Sequence, residues 1–295
     1  MRIGTAPVNW NNADVDIRPW MEYRQVLDEM VAGGYDATEW GPGFPDDAEA
    51  VGAELRKRGL SMIGMFVLLG FRDADKYDEE MAKAMAIAHR LHANGGTLII
   101  AAEAGDPRRR AEAGHVVEAN GLTDQQWRNL ARGLEDLADN IAPLGMKVVL
   151  HNHVGTYVET QNETIRLLEE TNPAKVGWCF DVGHMAYGGG DNLEMLKRYD
   201  ARVAHVHIKD VDGAVLARAR AEGWSFADAL RHYIFATLGE GIARVSDMVQ
   251  ALVDRGYDGY FVIEQDTQPT APGDVAKANR EILVDILATA AASRA

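Results

Sequence analysis

Lys147-Val148-Val149-Leu150-His151-Asn152-His153 and, further along, Val203-Ala204-His205-Val206-His207-Ile208-Lys209-Asp210 decide the fold. Each begins as a short apolar run and ends in histidine. A short, nearly all-apolar run marks a parallel strand buried on both faces. Working outward, six similar runs occupy residues 3–6, 37–40, 62–68, 97–101, 176–181 and 259–264, which with 147–151 and 203–208 makes eight expected strands. Helical patterns fall between them at residues 21–32, 48–58, 78–93, 123–144, 159–170, 192–198, 245–255 and 275–292. Several stop at glycine, which takes the left-handed conformation cheaply. Eight β-then-α units with no long linker predict an α/β protein built as a single (β/α)8 barrel over residues 1–295. An open doubly wound sheet would carry a Gly-rich phosphate loop after its first strand, and Thr5-Ala6-Pro7-Val8-Asn9-Trp10 is nothing like one. The two longest interruptions, residues 102–121 and 210–241, read as loop insertions. The second carries an expected helix at 215–232 and lies over the barrel mouth.

Bulk composition narrows the function. The 295-residue chain is 47% hydrophobic and 25% charged, the balance of a folded globular protein. Its net charge of −15 repels nucleic-acid phosphates and anionic lipid, so neither is an expected partner. No apolar run approaches the roughly 20 residues that span a bilayer. Cys179 is the one cysteine, so no intramolecular disulfide can form, and the Met1-Arg2-Ile3-Gly4-Thr5 start shows no signal-peptide pattern. The expected setting is cytoplasmic.

In such barrels the active site lies at the C-terminal ends of the strands, and polar residues collect there. The fifth expected strand ends His151-Asn152-His153, the sixth Phe180-Asp181-Val182-Gly183-His184, the seventh His205-Val206-His207-Ile208-Lys209-Asp210 and the eighth Ile263-Glu264-Gln265-Asp266. The second ends Glu39-Trp40 and the fourth runs into Glu103. A lone strand-end histidine is more often structural, and a lone aspartate there often caps the next helix. Four successive strands all ending in ligand-type residues is a different matter. His151, Asp181, His207 and Glu264 are the expected ligands of one divalent ion. Imidazole with carboxylate suits Mn²⁺ or Co²⁺, with Zn²⁺, Fe²⁺ and Mg²⁺ also compatible, and leaves open positions for substrate oxygens. Alternation puts His151 and His153 on one strand face, and His205 with His207 on another. One member of each pair touches the ion; the other binds substrate or orients a ligand. Lys209 shares the face of His207 if the strand continues, and is either a substrate contact or a solvated lysine.

These strand-end motifs resemble the xylose-isomerase-like barrel superfamily of sugar-phosphate isomerases, ketose epimerases and endonuclease IV. Within it the chain is most similar to the inosose dehydratases. The resemblance rests on residues 6–12, 29–35, 151–156, 181–184, 205–210, 221–226 and 256–266, and covers nearly the whole chain. The Asp-x-Gly-His and His-x-Lys-Asp signals are superfamily-wide. The Ala-Pro-x-Asn-Trp opening and the Ala-Glu-Gly-x-Ser-Phe insert belong to the dehydratase branch. The chain departs from that branch at His151-Asn152-His153, where three consecutive histidines are usual, and at Leu238-Gly239-Glu240-Gly241, where Pro-Gly-Asp-Gly is usual. The epimerases carry glutamate at the His151 position.

The resemblance implies a metal-dependent hydro-lyase that removes water from 2-keto-myo-inositol or a related polyhydroxy ketone through an enediolate. Sugar isomerase or epimerase chemistry on the same metal is the alternative. Glu264 or Glu39 is the expected base, and His153 or His184 the acid, with Lys209 beside them. Asn9, Trp10, Trp40, Asn152 and His205 are the expected substrate contacts. Family members often form dimers or tetramers. An endonuclease would need a basic groove, which the acidic balance opposes.

Overall fold

The computed structural model describes residues 1–293. Eight parallel strands close into a barrel: β1 Arg2–Thr5, β2 Ala37–Trp40, β3 Ser61–Leu69, β4 Leu98–Glu103, β5 Lys147–His151, β6 Val176–Asp181, β7 Val203–Ile208 and, after the small pair β8 Asp210–Val211 and β9 Phe235–Ala236, β10 Tyr260–Ile263. Around the ring the order is β1-β10-β7-β6-β5-β4-β3-β2, each strand bonded to its neighbour in sequence apart from the interposed β8–β9 ladder. All eight expected strands are present, and four have the expected ends.

Helices α1 Tyr23–Ala32, α2 Ala48–Arg58, α3 Tyr77–His92, α5 Asp124–Ile141, α6 Gln161–Glu170, α8 Asn192–Tyr199, α11 Val245–Asp254 and α12 Pro272–Ala292 follow the barrel strands. α5 shows why. Thr123 and Gln126 form a reciprocal capping box at its start. Trp127, Leu130, Ala131, Leu134, Leu137, Ala138 and Ile141 then recur at helical spacing and are buried. Burying each large apolar side chain stabilises by about 1.5–3 kcal/mol. Gly133 on this helix lets Phe71 lie against its backbone; a Cβ there would come within 2.3 Å of the ring.

The 210–241 insertion corrects the expectation of one helix at 215–232. It forms α9 Gly213–Glu222 and α10 Phe226–Arg231. Gly223 adopts a left-handed conformation at φ 65° and ends the first, and a Ser225–Asp228 capping box starts the second. Two short helices escape the hydrophobic pattern: α4 Pro107–Ala111 and α7 Val182–Tyr187, which starts directly after β6.

Register sets the site. Asp181 on β6 pairs with His207 on β7, and His207 pairs in turn with Val262 on β10. The β6–β7 ladder shifts between Trp178 and Cys179, whose partners are Val203 and His205, so Ala204 is bulged out. Glu264 extends β10 by donating its N–H to the carbonyl of Ile208 at 3.1 Å.

Candidate metal centre and active site

Four donor atoms meet at the C-terminal ends of β5, β6, β7 and β10. His151 Nε2 lies 3.5 Å from Asp181 Oδ2 and 3.2 Å from His207 Nδ1. His207 Nδ1 lies 3.7 Å from Asp181 Oδ2 and 3.2 Å from Glu264 Oε2. All four side chains are buried.

Asp181 serves two ends. Its Oδ1 accepts the N–H of His184 at 2.7 Å and caps α7, while Oδ2 is buried with no hydrogen-bond partner. Capping and ligation are thus compatible, one oxygen each. His151 Nδ1 is likewise buried and unpartnered. Lys209 reaches in from beyond β7, with Nζ 2.8 Å from Asp266 Oδ1, 3.1 Å from Glu264 Oε2 and 3.2 Å from His184 Nε2. It is not a solvated lysine; only 2% of its side chain is exposed.

The charges follow from this crowding. Burial opposes the Asp181 charge, yet His184 and Lys209 hold its carboxyl well below the usual range. Burial likewise opposes Glu264, and His207 and Lys209 outweigh it in the same direction. Burial opposes the His207 charge, but the Glu264, Glu39 and Asp181 carboxylates push that imidazole well above its ordinary value. Burial raises Asp266 to about 6 despite Lys209. Burial, with His151 adding, lowers His153 to about 3, and burial with His153 lowers His184 well below its ordinary value. Burial pushes the Cys179 thiol up to about 12, so it stays protonated beside His151 and His207.

The residues fit a divalent cation. Glu39, Asp181, Glu264 and Asp266 are four buried carboxyls, and the Lys209 ammonium and the His207 imidazolium are the two cations set against them. Buried charge that is left uncompensated is costly. Asp181, His207 and Glu264 hold donor atoms within 4.8 Å of one another, and His151 Nε2 completes a mixed imidazole–carboxylate set.

The centre forms one end of a cavity of about 520 Å3. Glu39, His151, His153, His184, Lys209, Glu264 and Asp266 line its charged side. Trp40, Phe44, Met65, Phe66, Val67 and Leu68 line its apolar side. The Phe66 ring stands 5.2 Å from both His151 and His153. His153 and His184 lie 3.9 Å apart between centroids with their rings tilted by 36°.

Four expected substrate contacts lie elsewhere. Trp10 turns its indole N–H to Glu29 Oε2 at 2.7 Å, so it packs the barrel end. Asn9 spends its amide N–H groups on Thr5 Oγ1 and the Ile263 carbonyl, and its oxygen accepts from the N–H of Gln265. Asn152 accepts from Trp178 Nε1 at 3.0 Å and donates to the Asp181 carbonyl at 3.0 Å, tying the end of β5 to β6. His205 sits beneath His207 with Nε2 2.7 Å from Glu39 Oε1. Trp40 does face the cavity, edge-on to Phe44 at 6.0 Å. Asp266 was not singled out from the sequence, although it stands two residues beyond Glu264 on the same face. Phe66 and Asp14 also line the cavity without a motif to mark them.

Comparison with known proteins gives consistent findings. Residues 27–286 match the family described as xylose isomerase-like TIM barrel. The chain is 36% identical over 290 residues to an inosose dehydratase of Geobacillus kaustophilus (strain HTA426), covering 96% of this chain and 93% of that protein. It is 33% identical over 283 residues to an inosose dehydratase of Lacticaseibacillus casei, covering 95% and 92%. Its fold is similar to that of the IOLI protein, whose crystal structure holds a zinc atom, with a TM-score of 0.74 and 16% identity over 98% of this chain and 99% of that one.

Proposed function

The chain belongs to the xylose isomerase-like TIM barrel family, and from that premise we propose that it is a metal-dependent hydro-lyase acting on 2-keto-myo-inositol or a closely related polyhydroxy ketone. The observation that carries the reading is identity of 36% along 96% of the chain to a protein named for that dehydration. His151, Asp181, His207 and Glu264 are the ligands, with Mn²⁺ or Co²⁺ as the ion. Once bound, the ion supplies Lewis-acid polarisation of a ketone oxygen.

This chain's residues do the remainder. Loss of water requires a proton to leave the carbon next to the ketone and hydroxide to leave the carbon beyond it. Glu39 and Glu264 are engaged with histidines and Lys209. His153 is freer: its Nδ1–H donates to the Val154 carbonyl at 2.7 Å, which leaves Nε2 as a lone-pair acceptor on a neutral ring. His153 Nε2 accepts a hydrogen bond from a substrate hydroxyl in this reading, and Asp266, the carboxyl raised to about 6, takes the carbon-bound proton. The Lys209–Asp266 pair holds the proton delivered to the departing hydroxide. The apolar wall of Trp40 and Phe66 meets the C–H face of the ring and excludes water.

The test is direct. Protein stripped of metal and reloaded with Mn²⁺ or Co²⁺ is mixed with 2-keto-myo-inositol, and the ultraviolet absorbance of a conjugated dione is followed. Metal-dependent growth of that absorbance is expected. No absorbance with 2-keto-myo-inositol, together with conversion of a ketose to its epimer, overturns dehydration.

A further inference from the structure

One buried carboxyl in this barrel has no place in the proton transfers above. Glu39 is on β2, three strands around the ring from β7. It is 1% exposed and reaches across the barrel to β7. His205 Nε2 lies 2.7 Å from its Oε1 and His207 Nε2 lies 3.0 Å from the same oxygen. A carboxylate oxygen can only accept, and it has two lone pairs. Both imidazoles therefore carry their proton on Nε2. With Nε2–H committed to Glu39, Nδ1 is the nitrogen of His207 that presents a lone pair once a cation displaces its proton. Its Nδ1 faces Glu264 Oε2, Asp181 Oδ2 and His151 Nε2 at 3.2, 3.7 and 3.2 Å.

From this we infer that Glu39 is a positioning residue: it clamps His207 from behind across the barrel, fixes the tautomer that turns the Nδ1 lone pair toward Asp181 and Glu264, and uses His205 as the second donor that holds its carboxyl in place. The inference rests on the metal-centre reading above. A ligating imidazole anchored through its far nitrogen by a carboxylate is held in orientation and made more basic. Here the anchor comes from the far side of the barrel rather than from the next turn of chain, so the ligand geometry depends on closure of the ring. Glu39, His205 and His207 also lie close enough to hold an ion themselves. The shared Oε1 argues for two hydrogen bonds there instead, since both Nε2 atoms already stand at hydrogen-bond distance from it.

The experiment reads metal binding rather than turnover, so a wrong choice of substrate leaves its result intact. Cobalt is titrated into the full chain and followed by its visible d–d bands and by calorimetry. Wild type is expected to take up one equivalent. Glu39→Gln, checked for folding by circular dichroism, is expected to bind cobalt 10- to 100-fold more weakly with altered bands, and Glu39→Asp to recover part of the loss. In zinc-loaded wild type labelled with ¹⁵N-histidine, His207 is expected as the Nε2–H tautomer with Nδ1 on the metal; this reading stands even if the variants do not fold. An unchanged affinity in Glu39→Gln, with kcat alone collapsing, overturns positioning in favour of a direct catalytic role. A second equivalent of cobalt in wild type overturns it too, by placing an ion between Glu39 and the imidazoles. Wild type that binds no cobalt overturns the metal centre and the inference together.

Discussion

The two halves of the barrel rim use the same βα unit and carry opposite surfaces. Along β5, β6, β7 and β10 the strand ends present His151, Asp181, His207 and Glu264, with His153, His184, Lys209 and Asp266 just beyond. Along β1 to β3 they present Ala6, Pro7, Val8, Trp40 and residues 65–68 of the apolar stretch Met65-Phe66-Val67-Leu68. Glu39, on β2 itself, is a charge spent on β7. Parallel backbone ladders close the ring in both halves, and much of the stabilising burial lies between strands and outer helices. Rim residues are therefore free to differ. A division results in which one arc carries the imidazoles and buried carboxyls and the other is mainly apolar, with Asp14, Asp46, Lys83 and Arg90 also lining the cavity.

The sharpest way to break that contrast is Asp181→Asn. It removes one carboxylate from the charged arc while keeping the cap on α7, whose acceptor is Oδ1. Dehydration is expected to fall at least 10³-fold in kcat/KM, about 4 kcal/mol of transition-state stabilisation, with cobalt uptake reduced in parallel. Retained metal and activity would erase the distinction between the arcs.

A pH measurement sharpens it next. Glu159, in the loop after β5, accepts N–H bonds from Gly155 and Gly114, both at 2.7 Å, and so ties the 102–121 insertion to the charged arc. Burial raises its carboxyl to about 7 against those donors. Its unfolded value is near 4.3. Between those values the folded chain holds a proton that the unfolded chain releases, so stability falls as pH rises from about 4.3 to about 7 and is flat beyond. The contribution is about 4 kcal/mol. Urea midpoints at pH 5 and pH 7.5 for wild type and Glu159→Gln check it. The variant is expected to lose one proton's worth of slope in that window, and parallel slopes would remove Glu159 as the cause.

Phe66→Ala probes the opposite arc. Steady-state kinetics are expected to show KM rising about tenfold, roughly 1.4 kcal/mol of binding, with kcat changed less than threefold. A collapse of kcat comparable to that of Asp181→Asn would mean that the wall takes part in chemistry. Smallest is Trp10→Phe, which deletes the bond to Glu29 away from the cavity. A loss of about 1 kcal/mol in unfolding free energy with unaltered kinetics is expected. Altered KM would return Trp10 to the substrate.

The legible and illegible parts separate cleanly by residue. Strand positions were readable because parallel strands buried on both faces stand out as apolar runs. His151, Asp181, His207 and Glu264 were readable as a set because each ends such a run. Their neighbours were not. Asn152 has the opposite pleat parity to His151 and bonds to Trp178. His205 shares the parity of His207 yet sits one layer deeper. Alternation gives the face and not the depth. Gly223 and Ser225 carried the signals that split the helix at 215–232, but continuous helix-forming residues on either side masked them.

The sequence by itself determined the number of βα units, the helix caps and the ring of ligand-type residues at four strand ends, because these depend on neighbours a few positions apart. Only the tertiary structure decided which of those residues meet. The bulge at Ala204 levels Asp181 with His207. Closure of the ring brings Glu39 within 3.0 Å of His207 across 168 positions of chain. Barrel stagger fixes which layer each inward side chain occupies. No local pattern encodes a contact made across a closed sheet, since its distance depends on every strand between the two partners.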